Sequence, residues 1–256
     1  MAVDQPSDLG KAAERGEPSH VWRAGQERRL QMIRNAAPQL AAARVLVDGC
    51  GLGMYVRALR PFARYVAGLD IESERVREGS RAGIAGLLAG QAEALPFASS
   101  SFDLVLSNEV LEHVADDRQA LREIMRVLRP GGRLVLFVPN RGHPFETHGV
   151  YWRGRYHFGN IPLVNYLPRH WRERLAPHVR AYTSRELGEL LRGLPAHLVQ
   201  RTVVFGGYDN IVARAPRLGR ILRGMLHALE RTPLRAFGLS HLWVVEKTSR
   251  PGSDRY

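Results

Sequence analysis

The chain has 256 residues, 45% hydrophobic and 24% charged, which allows one large α/β domain or one domain with insertions. Its single cysteine, Cys50, excludes an internal disulfide, no apolar run approaches the roughly 18 residues of a membrane span, and the first residues lack the basic-then-apolar pattern of an export signal, so a cytoplasmic location is expected. The net charge of +12 would suit an anionic partner, but the arginines are scattered and rarely adjoin aromatics, and only Lys11 and Lys247 among the 37 basic residues are lysines, a bias that a GC-rich coding sequence produces; nucleic acid is not the expected partner.

Residues 1 to about 18 are polar, hold Gly and Pro, and read as a frayed terminus. From 20 to 40 the pattern is helical, with Val21, Trp22, Leu30, Ile33 and Leu40 apolar among arginines. A strand at 44–47 runs into Asp48-Gly49-Cys50-Gly51-Leu52-Gly53. The alternating glycines let the backbone turn sharply and let a ligand approach without a Cβ in the way. A helix at 54–62 follows, then a strand at 65–71 holding Asp70. That acid lies some 20 residues past the loop, where an acceptor for a ribose hydroxyl pair belongs. A polar helix at 73–81, a short strand at 87–90 and a strand at 102–107 come next. The helix at 117–128 places Leu121, Ile124, Met125 and Leu128 on one face. Arg129-Pro130-Gly131-Gly132 stops it, and a fifth strand at 133–138 is nearly all apolar, as a buried parallel strand reads.

This alternation predicts an α/β fold, a parallel sheet with helices on both faces. The ligand is expected beyond the carboxyl ends of the strands, near the point where strand order reverses. The glycine loop, Asp70, Gln91 to Glu93 and Asn108 all fall at such ends.

After Pro139 the rhythm breaks. Residues 141–182 show no clear period and hold His143, His148, His157, His170 and His178 with Tyr151, Trp152, Tyr156, Phe158, Tyr166 and Trp171. An aromatic cap over a strand-end cleft suits a planar or greasy ligand. The spacing His143-x4-His148, with no cysteine nearby, does not make a zinc site, and no metal is expected. A helix at 184–191 takes Ser184 as its N-cap, and a strand spans 198–205. The second insertion, 207–240, carries a basic amphipathic helix at 218–229 with Leu218, Ile221, Leu222, Met225, Leu226 and Leu229 opposite Arg217, Arg220 and Arg223. Such a helix lies on an anionic membrane in some proteins and packs on its own domain in more. A last strand covers 241–247.

The glycines are not spaced Gly-x-Gly-x-x-Gly, and Asp48 is badly placed against a pyrophosphate but well placed against an ammonium group. With no Gly-Lys-Ser/Thr, a nucleoside triphosphate loop is excluded. The stretches Val-Leu-Val-Asp-Gly-Cys-Gly-Leu-Gly (45–53), Gly-Leu-Asp-Ile (68–71), Ala-Glu-Ala-Leu-Pro-Phe (92–97), Ser-Phe-Asp-Leu-Val-Leu-Ser-Asn-Glu-Val-Leu-Glu-His-Val (101–114) and Leu-Arg-Pro-Gly-Gly-Arg-Leu-Val (128–135) together resemble the class I S-adenosylmethionine-dependent methyltransferases, in the broad small-molecule group that includes quinone-biosynthesis enzymes.

The resemblance implies a Rossmann-like, doubly wound, mostly parallel seven-stranded sheet with helices on both faces and helical and loop cap insertions. It implies one domain over 1–256: a helical cover at 1–43, a cofactor core at 44–140, substrate caps at 141–182 and 207–240, and the last strand at 241–248. It further implies S-adenosylmethionine as cofactor. Gly49, Cys50, Gly51 and Gly53 would form the loop under the methionine and sugar, with Asp48 on the amino end, Asp70 on the ribose hydroxyls and Ile71 on the adenine. Ala92 and Glu93 would border the adenine edge, Asn108 would line the pocket beside the methyl group, and His113 would follow in the same segment. Gln91 stands where the family often has Asp, and its carbonyl accepts the same hydrogen bond without charge. Trp22, Arg23 and Arg28 would cover the cofactor, with an arginine for its carboxylate.

Methyl transfer to a hydroxyl requires loss of a proton, and histidine titrates near neutral pH. His143 and His148, flanking Glu146, are therefore the candidate catalytic bases. The expected acceptor is a small-molecule or lipid-like metabolite, with oxygen favoured. Peripheral membrane contact and the oligomeric state are left open. Two other readings remain: an RNA methyltransferase, against which stands the lack of an Asn-Pro-Pro-Tyr-type run at 107–110, and a binding protein that keeps the cofactor fold without catalysis.

Overall fold

The structure is a computed structural model that describes residues 21–249; the reading of residues 1–18 lies outside them. Helix α1 spans Ala24–Ala36. Strands β1 (Arg44–Asp48), β2 (Tyr65–Asp70), β3 (Leu87–Ala89), β4 (Phe102–Asn108) and β5 (Leu128–Pro139) alternate with helices α2 (Met54–Leu59), α3 (Ser73–Arg81) and α4 (Asp117–Val127). The second half adds the short strands β6 (Phe145–Glu146), β7 (Val150–Trp152), β8 (Arg155–His157) and β9 (Ile161–Pro162). Helices α5 (Arg169–Leu175) and α6 (Ser184–Leu191), strand β10 (Ala196–Val204), helices α7 (Asp209–Arg214) and α8 (Pro216–Leu229) and strand β11 (Ser240–Lys247) complete it.

One seven-stranded sheet has the order β10-β11-β5-β4-β1-β2-β3. Its first five strands in chain order are parallel, while β11 runs antiparallel to both β5 and β10. The order reverses between β1 and β4, so the crevice of a doubly wound sheet opens at their carboxyl ends.

Alternation along the strands sorts the core to two faces. Val45, Val47, Leu104, Leu106, Val135 and Phe137 pack with Leu30 and Ile33 of α1 and Val56 and Leu59 of α2. Leu46, Val105, Leu134 and Leu136 pack with Leu121, Ile124 and Met125 of α4 and Leu187 and Leu191 of α6. Burying both faces is what makes these strands continuously apolar.

Several local details differ from the sequence reading. The N-cap of α6 is Thr183, not Ser184: Thr183 Oγ1 accepts from Glu186 N (3.2 Å) and the Glu186 carboxylate accepts from Thr183 N (2.8 Å), a reciprocal capping box. Strand β5 begins at Leu128, with the 129–132 terminator as an irregularity in its pairing to β4 and Gly131 at φ +78°. Segment 141–182 is ordered by two small antiparallel pairs, β6–β9 and β7–β8, and by α5. A side-chain knot fastens it. The Arg172 guanidinium, buried, meets Glu146 Oε2 (2.6 Å), Asn165 Oδ1 (3.1 Å) and the Val179 carbonyl (2.9 Å).

Helix α8 departs most. Leu218, Ile221, Leu222 and Met225, at i, i+3, i+4 and i+7, do not pack on the domain but form an exposed stripe.

Candidate active site

A cavity of about 1150 Å³ opens at the carboxyl ends of β1, β2 and β4. It is closed by the start of α1 and by the segments after β5 and β10.

The floor is the turn after β1. Gly49, Gly51 and Gly53 all have positive φ, +64°, +54° and +83°. A Cβ on Gly49 would collide with Val110 Cγ2. Gly53 does not line the cavity: it is the left-handed N-cap of α2, and a Cβ there would press on Ile84 and Leu87. The left-handed turn itself requires a glycine there. Cys50 N donates to Leu69 O (2.8 Å), pinning the loop to β2, and burial pushes the Cys50 thiol up to about 12, so it is a packed hydrophobe and no nucleophile.

Asp48 is buried in the cavity wall. Its Oδ2 lies 3.3 Å from Ser107 Oγ, while Oδ1 has no hydrogen-bond partner among the described residues. Burial raises its carboxyl to about 7; the Ser107 bond opposes the shift, and the charges of Asp70 and Glu93 add to it. Asp70 accepts from Gly51 N through Oδ2 (2.7 Å) and from Glu72 N through Oδ1 (2.9 Å). These amides fix the carboxylate's orientation at the cavity.

Ile71, half exposed, and Gln91 and Ala92 continue the wall. Glu93 also lines it, but its Oε1 accepts from Ala115 N (2.8 Å), bracing the β3 side against the segment before α4.

These features fit S-adenosylmethionine. An orphaned buried carboxylate oxygen of Asp48 waits for a cationic donor, the Asp70 carboxylate is held at the cavity by two backbone amides, and the Gly49 turn has no room for a side chain.

At the other end stand Asn108, Glu109, Val110 and His113, from the segment between β4 and α4. Arg29 of α1 organises them. Its Nη1 donates to Asn108 Oδ1 (2.7 Å), and its Nη2 donates to Glu109 Oε1 (2.8 Å) and Ser240 Oγ (2.8 Å). Glu109 is held at φ +57°, uncommon for a non-glycine residue. Burial works to raise the Glu109 carboxyl, but the Arg29 charge, together with the adjoining Glu112 carboxyl and the hydrogen bond from Ser240, outweighs it and holds the group at about 2. Burial, and then the charge of Glu109, drive the Glu112 carboxyl well above the ordinary range.

The cap adds Thr147, His148, Tyr151, Tyr156, Phe158 and His178. His148 Nδ1 is 3.0 Å from Glu146 Oε1. Burial opposes ionisation of Glu146, yet its bonds to His148 and the charge of Arg172 hold it near about 2. Nδ1 is therefore the donor to Glu146, and in the neutral ring Nε2 holds the lone pair.

The two predicted bases separate. His148 is in the cavity wall, whereas His143 lies outside it, with Nδ1 2.9 Å from the Phe237 carbonyl. Of the N-terminal residues, Arg23 and Arg28 reach the wall, but Arg28 is spent on Glu230 (2.5 Å) and Trp22 stacks edge-on against Tyr55. Arg29, Glu109 and Glu112 were not singled out in the sequence. Their partners lie up to 211 residues away, and only the compact run Asn-Glu-Val-Leu-Glu-His hinted at them. His148 pairs not with His143 but with Glu112 and His113, and one donor atom from each lies within 4.8 Å of the others.

A family model described as a methyltransferase domain matches residues 46–136. The malonyl-[acyl-carrier protein] O-methyltransferase of Erwinia billingiae is 31% identical over 207 residues, 80% of this chain and 75% of that protein. The enzyme of the same name from Erwinia pyrifoliae is 38% identical over 141 residues, and a probable S-adenosylmethionine-dependent methyltransferase of Mycolicibacterium smegmatis 33% over 138. In these two the match spans only about half of each relative, 53% and 54%, and about half of this chain, 52% and 53%. Among solved structures, an S-adenosylmethionine-dependent methyltransferase from Mesorhizobium loti superposes with a TM-score of 0.59 at 22% identity, covering 85% of this chain and 96% of that one. The YcgJ protein of Bacillus subtilis gives 0.56 at 24%, covering 88% and 100%. With the fold, the strand-end cavity and the relatives in agreement, the chain belongs to the class I S-adenosylmethionine-dependent methyltransferases.

Proposed function

We propose that this protein methylates a hydroxyl oxygen of a small or lipid-like acceptor. The observation that carries the reading is a single cavity with the glycine turn, Asp48 and Asp70 at one end and the His148–Glu146 pair at the other. S-adenosylmethionine supplies an electrophilic methyl group whose sulfur departs as a thioether when the acceptor oxygen takes the methyl. Asp48 receives the ammonium group of the ligand, Asp70 the ribose hydroxyls, Ile71 and Gln91 with Ala92 the adenine; Arg23 is the arginine placed for the carboxylate. Asn108 and His113 line the space between the halves. His148, oriented by Glu146, binds the acceptor hydroxyl through Nε2 and is placed to take its proton. Segments 141–182 and 207–240 act as caps that hold the acceptor within about 3–3.5 Å of the methyl group. Two relatives whose names specify O-methyl transfer support an oxygen acceptor.

Calorimetric titration with S-adenosylmethionine tests the cofactor end, with Asp70→Ala beside the native chain. Transfer of labelled methyl to cell-extract fractions tests the acceptor end. Label in a small-molecule or lipid fraction, lost in His148→Gln, supports the reading. Label in RNA overturns the acceptor class, and binding without transfer to any fraction overturns catalysis.

The exposed stripe of α8 favours a second, compatible reading, in which the acceptor is met at an anionic lipid surface. Leu218, Ile221, Leu222 and Met225 would enter the interface beside the exposed Arg214, Arg217 and Arg220. No helix among the described residues is long and apolar enough to cross a membrane. Co-sedimentation with vesicles containing anionic lipid, lost in Leu218→Ser/Ile221→Ser, checks it; equal sedimentation of both proteins would refute it.

A further inference from the structure

Most buried acids near the cavity have a visible partner. Glu146 is met by Arg172 and His148, Glu109 by Arg29 and Ser240, and Asp70 by two backbone amides. Glu112 has none. It is 1% exposed, and neither carboxylate oxygen has a hydrogen-bond donor among the described residues. A buried carboxylate without a counter-charge is costly, so either a proton or a cation belongs there.

The neighbours select the cation. His113 follows Glu112 in the chain, and His148 arrives from the cap, its ring edge-on to that of His113 at 5.6 Å between centroids. One donor atom from each of the three residues lies within 4.8 Å of the others. Across a metal with bonds of about 2.1 Å, donors sit at most about 4.2 Å apart, so small side-chain rotations close the set. The Nδ1–H of His148 is already given to Glu146, the arrangement that fixes a ligating imidazole and leaves the Nε2 lone pair to the metal. Backbone on one side and the Arg172 knot on the other hold the donors in place.

We infer that Glu112, His113 and His148 bind one divalent first-row transition-metal ion, with its open coordination positions toward the cavity and an oxygen of the acceptor. Two imidazoles and one carboxylate suit Mn²⁺, Fe²⁺ or Zn²⁺ better than the all-oxygen shell that Mg²⁺ prefers. The function of the ion rests on the methyltransferase reading; its binding does not. An acceptor hydroxyl on the ion becomes more acidic, so its proton passes to water in the open cavity while the oxygen takes the methyl. With the ion bound, His148 serves as its ligand, and this replaces the direct proton transfer to Nε2 proposed above for the metal-free chain. Acceptors with two adjacent oxygens, which chelate, are the favoured class.

The test uses the full chain stripped with chelator and dialysed. Mn²⁺ is titrated and followed by loss of its free electron paramagnetic resonance signal, and Zn²⁺ by calorimetry. The expected result is one ion per chain, a higher melting temperature on loading, and at least about ten-fold weaker binding in Glu112→Gln and in His148→Gln. Both variants are first melted to establish folding; if Glu112→Gln does not fold, the half-buried His148 decides. No saturable binding of either ion to the folded chain, or equal binding in native and variant chains, overturns the site and leaves Glu112 as a protonated acid. S-adenosylmethionine is titrated separately into the metal-free chain. Loss of that binding alone defeats the methyltransferase reading, and loss of metal binding alone defeats only the site.

Discussion

Around Asp48 and Asp70 the cavity wall is backbone. The loop after β1 is tied by Cys50 N to β2 and by Gly51 N to Asp70, and the strands beneath it are buried on both faces. Around His148 the wall is side chains, in a segment of two- and three-residue strands whose centre is the Arg172–Glu146 pair. The first region is fixed by the sheet and its strand-end turns, the second by a few polar contacts. A change in the cap can therefore alter what is bound there while leaving the cofactor end intact.

The sharpest challenge to that contrast is Arg172→Ala. Leaving Glu146 buried and unpaired is expected to cost about 3–5 kcal/mol, seen as a lower melting temperature and early proteolysis between 141 and 182. Affinity for S-adenosylmethionine should stay within roughly three-fold, as for distant sites. Loss of cofactor binding would show that the two regions are one cooperative unit. Next in size is Asp70→Ala. Two charge-assisted bonds worth about 1.5–3 kcal/mol each predict a loss on the order of 100-fold in calorimetric affinity.

A smaller effect comes from pH. With the Asp48 carboxyl at about 7, the ionised form that pairs with an ammonium group falls about ten-fold from pH 8 to pH 6, and affinity with it. The ligand-free chain behaves oppositely. Folded Asp48 retains a proton that the unfolded chain releases near its ordinary 3.8, so its contribution to stability declines as pH rises between those values and levels off above about 7. Asp48→Asn should flatten both slopes, measured by calorimetry and by melting. The smallest change is at α8, where Leu218→Ser should shift stability by under about 0.5 kcal/mol. The buried Leu121→Ala should cost about 2–5 kcal/mol, and chemical denaturation compares them.

The same contrast explains what could be read from the residues alone. Strand ends and the glycine turn are local: apolar runs, φ-demanding glycines and acids at strand termini lie next to each other in the chain, so the sheet and the positions of Asp48, Asp70 and Asn108 were legible. The cap is non-local. Arg172 meets Glu146 across 26 residues and Arg29 meets Ser240 across 211, distances at which no period or spacing carries a signal. His143 and His148 looked equivalent because both follow β5; only the turn of the chain between them sends one to the cavity and the other to Phe237. Thr183 displaced Ser184 as a cap because Glu186, three residues beyond Thr183, completes the reciprocal pair. The α8 stripe was visible, but amphipathic spacing does not say whether the apolar side faces protein or solvent.

Strand β11 sits between β5 and β10, inside the sheet, although it is the last of the described strands. Its first residue, Ser240, is also one of the anchors of Arg29 on α1. The cover laid over the cavity by one of the earliest described helices is thus latched by a residue synthesised more than two hundred positions later. During translation, β1 to β4 can assemble as soon as they emerge, but Asn108 and Glu109 receive their full clamp only once β11 has slotted home. A nascent chain stalled before Ser240 would expose the open edge of β5 to the ribosome's surroundings, with the cavity still unclosed.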